Sequence, residues 1–301
     1  MQLEFHTLDV FTPKRFFGNP LAVVSGADDL ETDAMQAIAR EFNLSETAFL
    51  KTPENPAHSA AVRIFAPSRE LPFAGHPTVG AAALLALQKF GDEVEHEAII
   101  TLEEEIGLVR IGVRILPGEP IHAAFDVPKI AEELGAPGQR DDIAAAVGLT
   151  PGEIGFDNHR PSIFSAGVPY VFVPVRDLAA LSRAWPVDML WRRGCLADNG
   201  AAYLYCRETR DPACSFAARM FSPGLGMVED PATGSAAAAF AGVIARFEAL
   251  SGERHVFNLE QGADMGRPSS IILEVELSAG RLEGVRIGGD CVIVGKGELT
   301  V

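Results

Sequence analysis

The chain has 301 residues, 48% of them hydrophobic and 22% charged, and its 41 acidic against 25 basic side chains give a net charge of −16. That is too apolar for a disordered chain and too charged for a membrane protein, and such an acidic surface repels nucleic acid and anionic lipid. Four cysteines, Cys195, Cys206, Cys214 and Cys291, show no C-x-x-C pairing and read as reduced, mostly buried thiols of a cytoplasmic protein. No run approaches the roughly 18 apolar residues of a membrane span, and Glu4 and Asp9 stand where a signal peptide would be apolar.

Short β-branched runs alternate along the chain with two kinds of helix. Residues 21–24 (LAVV) predict a strand, and residues 33–42 (DAMQAIAREF), acidic at the start and amphipathic beyond, predict a surface helix. Strands are expected at 62–65 and 99–102. Between them, 81–90 (AAALLALQKF) is apolar on nearly every face, which predicts a helix enclosed by its own domain. The turn-rich 116–120 (LPGEP) is the best boundary, and the acidic, loop-rich 126–155 reads as a surface excursion. Strands follow at 171–175, 202–206 and 271–275, with a second all-apolar helix at 236–247 (AAAAFAGVIARF).

Four segments recur in order. Gly18-Asn19-Pro20-Leu21-Ala22-Val23-Val24 resembles Gly167-Val168-Pro169-Tyr170-Val171-Phe172-Val173, and Arg63-Ile64-Phe65-Ala66-Pro67 returns as Arg219-Met220-Phe221-Ser222-Pro223. His76-Pro77-Thr78-Val79-Gly80 returns as Asp230-Pro231-Ala232-Thr233-Gly234, and Val109-Arg110-Ile111-Gly112 as Val285-Arg286-Ile287-Gly288. Each match alone is weak, but four in one order indicate a duplicated α/β unit. Each copy is expected to be a curved sheet wrapped on its apolar helix. The domains are expected at 1–117 and 118–289, with 290–301 returning to the first, because 292–294 has no counterpart in the second.

Both apolar helices open on Pro-x-x-Gly followed by a small residue, which lets a ligand approach the backbone. A helix N-terminus offers unpaired N–H groups and the positive end of a dipole, so two matched termini suit a carboxylate even in an acidic protein. Ser235 with His76 and Asp230 could be drawn as a hydrolase triad, but no G-x-S-x-G elbow is present. Walker, G-x-G-x-x-G and H-E-x-x-H motifs are also missing, and the seven histidines lack metal-ligand spacing. No cofactor and no metal are indicated. Glu46, at the passage from a helix into the apolar run 47–50, is by default a solvated glutamate. At the mouth of a cleft it would be partly desolvated and its pKa raised, which suits proton transfer.

These motifs are similar to those of the PhzF family, phenazine-biosynthesis-like proteins related in fold to diaminopimelate epimerase and proline racemase. The resemblance rests on Phe17-Gly18-Asn19-Pro20, Glu46-Thr47-Ala48-Phe49, Phe73-Ala74-Gly75-His76-Pro77-Thr78-Val79-Gly80 and Gly167-Val168-Pro169-Tyr170. It continues through Glu229-Asp230-Pro231-Ala232-Thr233-Gly234-Ser235-Ala236, Gln261-Gly262 and Met265-Gly266-Arg267-Pro268-Ser269. It implies an α/β (α+β) fold of two pseudo-symmetric diaminopimelate epimerase-like domains around a cleft, usually in a homodimer, and cofactor-free isomerisation by proton transfer. It implies Glu46 as the proton carrier, His76 and Asp230 as its partners, and Gly234 and Ser235 as the pair binding a substrate carboxylate. Asn19, Ser45, Gly75, Gly80 and Thr233 are the further candidate substrate contacts. The related epimerases place a cysteine at each signature, near Pro77 and Pro231 here, so a two-thiol mechanism is not expected.

The expected activity is therefore isomerisation of a small carboxylic acid. The alternatives are epimerisation or racemisation of an amino or hydroxy acid, with Glu46 and a group beside Asp230 on opposite faces of one carbon, and a non-catalytic carboxylate-binding scaffold. The expected partner is a small carboxylate-bearing substrate, not nucleic acid or a membrane.

Overall fold

The computed structural model describes residues 1–194, 200–223 and 227–301, so Cys195 lies outside the described residues. The chain divides into two units, Met1–Asp126 with Gly288–Val301, and Val127–Ile287. Among the described residues no helix is long and apolar enough to cross a membrane.

The first unit contains β1 (Gln2–Val10), β2 (Asn19–Val24), α1 (Thr32–Phe42), β3 (Glu46–Lys51), β4 (Ala60–Phe65), β5 (Glu70–Leu71), α2 (Gly75–Phe90), β6 (His96–Glu104), β7 (Gly107–Ile115) and β8 (Ile121–Asp126). Strand β1 pairs with β2, β2 runs parallel to β3, β3 is antiparallel to β4, and β4 is parallel to β6. Then β6, β7 and β8 follow as an antiparallel meander. The last strand of the chain pairs with both β1 and β8, so the sheet closes on itself. Inside it lies α2, whose residues from Gly75 to Leu84 are all buried. Its small side chains, Ala81, Ala82, Ala83 and Ala86, let the surrounding strands approach on every side. Helix α1 is the amphipathic one. It sets Met35 and Ala39 against Leu3, Val24, Phe49 and Phe65, and it stops at Asn43, whose left-handed backbone sends its N–H back to the Ala39 carbonyl.

The second unit contains β9 (Glu132–Glu133), α3 (Arg140–Ala146), β10 (Ser162–Ser165), β11 (Pro169–Pro174), α4 (Leu178–Arg183), α5 (Asp188–Gly194), β12 (Ala202–Cys206), β13 (Phe216–Ser222), β14 (Met227–Asp230), α6 (Gly234–Phe247), β15 (Arg254–Gln261) and β16 (Ser269–Ser278). Strand β17 (Arg281–Thr300) begins here and enters the first unit at Gly288. The pairing order repeats that of the first unit: β10–β11 antiparallel, β11–β12 parallel, β12–β13 antiparallel, β13–β15 parallel, β15–β16 antiparallel. Helix α6 takes the place of α2, and Phe240 on it packs its ring 4.7 Å from Tyr205 and 5.3 Å from Phe216.

Two sequence expectations change. The 116–120 turn joins β7 to β8 within the first unit, and β8 buries Ile121, Ala123 and Phe125 there, so the division falls after Asp126. The 126–155 segment is more than a surface excursion. Ile143, Ala144, Ala146 and Val147 of α3 and its end are buried with Val171, Val173 and Leu204, while Asp141 and Asp142 of the same helix are exposed.

The duplicated Arg-x-Phe has a structural reason. Arg63 stacks over Phe65 at 5.1 Å and Arg219 over Phe221 at 4.7 Å. Each arginine also forks onto a glutamate of the strand leading into the central helix, Glu70 in β5 and Glu229 in β14. The side chains of Arg219 and Glu229 are 5% and 6% exposed, those of Arg63 and Glu70 28% and 29%. Arg219 also donates to the carbonyls of Leu181, Ser182 and Ala184. Removing one partner of a buried pair strands the other, whereas a half-exposed pair is screened by water. Arg219→Ala should therefore cost about 3–5 kcal/mol and Arg63→Ala about 1 kcal/mol or less, read as shifts in urea midpoint. Equal losses would show that burial does not separate the two copies.

Candidate active site

In the first unit three expected residues come together because three elements start side by side. Glu46 opens β3 and pairs in register with Leu21 of β2, which Asn19 opens. His76 is the second residue of α2. Its Nδ1 lies 3.3 Å from Asn19 Nδ2 and 3.4 Å from Glu46 Oε2. Asn19 and His76 are buried, while the Glu46 side chain keeps 15% of its surface exposed. Ser45 precedes Glu46 and is half-buried, and Gly75 is the first residue of α2. Burial pushes the His76 imidazole down to about 3, so it is neutral at physiological pH. A neutral ring holds one proton and can place or receive a hydrogen bond, but it does not store a charge.

The start of α2 is held by two residues outside the expected set. Thr78 Oγ1 is 2.8 Å from the Ala74 carbonyl and 2.7 Å from Glu104 Oε1. A hydroxyl has one hydrogen. Both contacts are satisfied when Glu104 is protonated and donates to Thr78, which donates to Ala74. Burial pushes Glu104 up to about 8, against the pull of Thr78, in keeping with that arrangement.

In the second unit Asp230 ends β14 and is buried. Thr233 Oγ1 donates to Asp230 Oδ2 at 2.6 Å. Gln261, the last residue of β15, donates to the Asp230 carbonyl at 2.8 Å and to Thr233 Oγ1 at 3.0 Å, and accepts from the Thr233 N–H at 3.2 Å. Thr233 is the residue before α6, but its side chain makes no cap bond to the helix. The first turn, Gly234 and Ser235, therefore presents N–H groups that the usual capping hydroxyl does not cover. Ser235 Oγ is 2.7 Å from the Tyr170 hydroxyl.

Three site expectations change here. Gly80 lies in the second turn of α2, not at its start, and a Cβ there would stand 2.4 Å from Leu21 Cδ2 and 2.9 Å from Val10 Cγ2. It makes room for the strands rather than for a ligand. The Thr233 side chain is spent on Asp230 and Gln261 and acts behind the helix start. His76 and Asp230, equivalent in sequence, sit on a helix and a strand respectively, because Thr78 bonds back four residues and extends α2, whereas Gln261 holds 230–233 out of the helix. Glu104 escaped the sequence reading and Gln261 was named only within a motif, without a role, yet a signal existed: Leu102-Glu103-Glu104 and Leu259-Glu260-Gln261 form a fifth repeat. Leu102 and Glu103 pair with Ala60 and Ala61, and Leu259 and Glu260 with Phe216 and Ala217.

The described thiols are poor proton carriers. Burial pushes Cys206 up to about 12 and Cys214 up to about 11, and raises Cys291 as well. Among the described residues no three His, Cys, Asp or Glu side chains converge as metal ligands do.

Residues 8–297 match the sequence profile of the family described as phenazine biosynthesis-like protein. The chain is 48% identical over 297 residues to an uncharacterized isomerase of Mesorhizobium japonicum, covering 97% of each chain. It is 33% identical over 300 residues to the trans-2,3-dihydro-3-hydroxyanthranilate isomerase of Pseudomonas chlororaphis, covering 98% of each. Among solved structures it resembles the PhzF-family phenazine biosynthesis protein of Bacillus anthracis, with a TM-score of 0.88 and 25% identity over the whole of both chains.

The two buried titrating groups act on stability with opposite signs. His76 binds a proton more readily unfolded than folded, so its contribution is complete above pH 6.5 and is lost as pH falls toward 3. Glu104 binds its proton more readily folded, so its contribution is complete below pH 4.5 and is lost as pH rises through 8. Relative to wild type, His76→Gln should gain about 1.4 kcal/mol per pH unit below 6.5, and Glu104→Gln the same per unit above 4.5. Urea unfolding from pH 4 to 8.5 reads both slopes. A pH-independent difference between Glu104→Gln and wild type would place that carboxyl in its charged form.

Proposed function

The chain belongs to the phenazine biosynthesis-like family and is an isomerase, and from that premise we propose that it shifts a proton between two carbons of a small carboxylic acid with Glu46 as the carrier. The observation that carries this reading is the Glu46 carboxylate set against a neutral, buried imidazole while part of its own surface stays open. A neutral imidazole places no cation beside that carboxylate, and a carboxylate that reaches a reacting carbon suits general acid–base work.

In the proposed reaction Glu46 takes a proton from a carbon next to a carboxylate or a conjugated double bond. The electron pair left behind delocalises into that system, and Glu46 returns the proton to another carbon, so nothing is gained or lost. His76, neutral throughout, keeps Glu46 and Asn19 in register and offers one hydrogen bond. In the second unit, taken by itself, Asp230 is engaged by Thr233, and the N–H groups of Gly234 and Ser235, with Ser235 Oγ, suit a carboxylate, since charge-assisted bonds to a helix start are strong. Support for a carboxylate comes from two directions: Thr233 is turned away from the helix start, and a relative is named for an acid of the anthranilate class.

Glu46→Gln keeps the shape of the side chain but cannot accept a proton. With trans-2,3-dihydro-3-hydroxyanthranilate as the first compound tried, and other unsaturated cyclic acids after it, the variant should lose about 10²–10⁴-fold in turnover and fail to wash deuterium into the product from D₂O. Near-normal turnover would remove Glu46 from the reaction. Ser235→Ala should weaken binding of the same acid about 10-fold; unchanged affinity would move the carboxylate elsewhere.

A further inference from the structure

We propose that Gln261 is a positioning residue, which turns Thr233 off the end of α6 and onto Asp230 and thereby keeps the first-turn N–H groups open to an anion. The proposal rests on the reading of α6 as the carboxylate-binding helix and names what keeps that helix start available.

Threonine before a helix is a good cap, because its hydroxyl accepts from the N–H two or three residues on. Thr233 has the extended backbone a cap needs, with φ −114° and ψ 91°, yet no cap bond forms. Its hydroxyl donates to Asp230 Oδ2 and accepts from Gln261 Nε2, and these two bonds fix it in an orientation that makes no cap bond. Gln261 can impose this because it cannot itself move. It is 1% exposed, its strand is paired on both sides, with Ala218 and with Ser269, and the chain turns sharply after it at Gly262. That glycine has φ +77°, and a Cβ there would meet the Pro231 carbonyl at 2.6 Å and the Arg267 carbonyl at 2.4 Å. The backbone behind the Asp230 turn is thus in contact with the residue that follows Gln261.

The first unit has a related arrangement, in which the hydroxyl belongs to Thr78 inside α2 rather than to the residue before it. Glu104 occupies the repeat-equivalent place at the end of β6 and reaches the Thr78 hydroxyl in the first turn of α2. Its neighbour Glu103 accepts the backbone N–H groups of Glu54 and Asn55, as Glu260 accepts those of Arg210 and Arg210's successor Asp211. In each copy the outward carboxylate fixes the end of the strand, and the inward side chain governs a hydroxyl at the start of the central helix.

The test uses backbone amide exchange, so it stands or falls independently of any substrate. In Gln261→Leu, Thr233 is released and its hydroxyl caps α6. The amides of Ser235 and Ala236 should then exchange about 5-fold more slowly than in wild type, the factor expected for a gained cap. Adding Thr233→Val removes the hydroxyl and should return those amides to their wild-type rates, a reversal that general destabilisation cannot produce. If Gln261→Leu does not fold, Gln261→Met, of similar length and without hydrogen-bonding groups, is read in the same way. Unchanged exchange at Ser235 and Ala236 in a folded single variant, or protection that persists in the double variant, overturns the proposal. So does failure of both single variants to fold, which would assign Gln261 to stability alone. Loss of turnover in Glu46→Gln, or its absence, changes none of these outcomes.

Discussion

A helix enclosed on every side by its own sheet imposes the main constraint on this molecule. Its flanks are satisfied by apolar contact, but its first turn carries backbone N–H groups that need an acceptor. In α2 and in α6 no side chain of the preceding residue supplies one. The residues around each helix start are accordingly polar, largely buried and tied to one another. The closing of the first sheet through β17, the small residues of the helix and the close approach of Gly80 to Leu21 all follow from the need to fit sheet against helix backbone.

The two copies solve this problem with different chemistry. In the first, a carboxyl held in its protonated form by burial meets the Thr78 hydroxyl, and a neutral imidazole faces Glu46. In the second, an amide that never titrates meets Thr233, and the residue matching His76 is an aspartate. Duplication supplied two similar helix starts, and divergence set a titrating carboxyl against the threonine of one and an uncharged amide against the threonine of the other. The same asymmetry appears in the arginine clasps, since Arg219 is buried and tied to three carbonyls while Arg63 remains partly in water.

Much of this was readable from residue order. The strands around 21–24, 62–65, 99–102 and 202–206, the amphipathic α1 and the two apolar helices follow from periodicity, and four in-order repeats reveal the duplication. The grouping of Asn19, Glu46 and His76 follows only from the family resemblance, because parallel pairing of β2 with β3 brings distant residues to one level and spacing alone does not show it. Glu104 was missed, and Gln261 left without a role, for a physical reason. A glutamate or glutamine at a strand end is normally solvated, and only the inward side of a strand paired on both edges turns it toward the core. The division is expected at 117 and falls after Asp126, because a Pro-Gly turn looks the same whether it joins two domains or closes a hairpin.

Strand β17 carries an implication for biogenesis. Its pairing with β1 sets Gln2 against Thr300 and Val10 against Cys291, so the first unit's sheet cannot close until residues 288–300 have left the ribosome. The second unit, contiguous from Val127 to Ile287, has all its strands earlier and can fold while the first still lacks a wall. Until then β1 and β8 each present an unpaired edge to the cell, the kind of surface that recruits chaperones or other chains. Order of synthesis and order of completion are therefore reversed, with the unit made first being the last to be sealed.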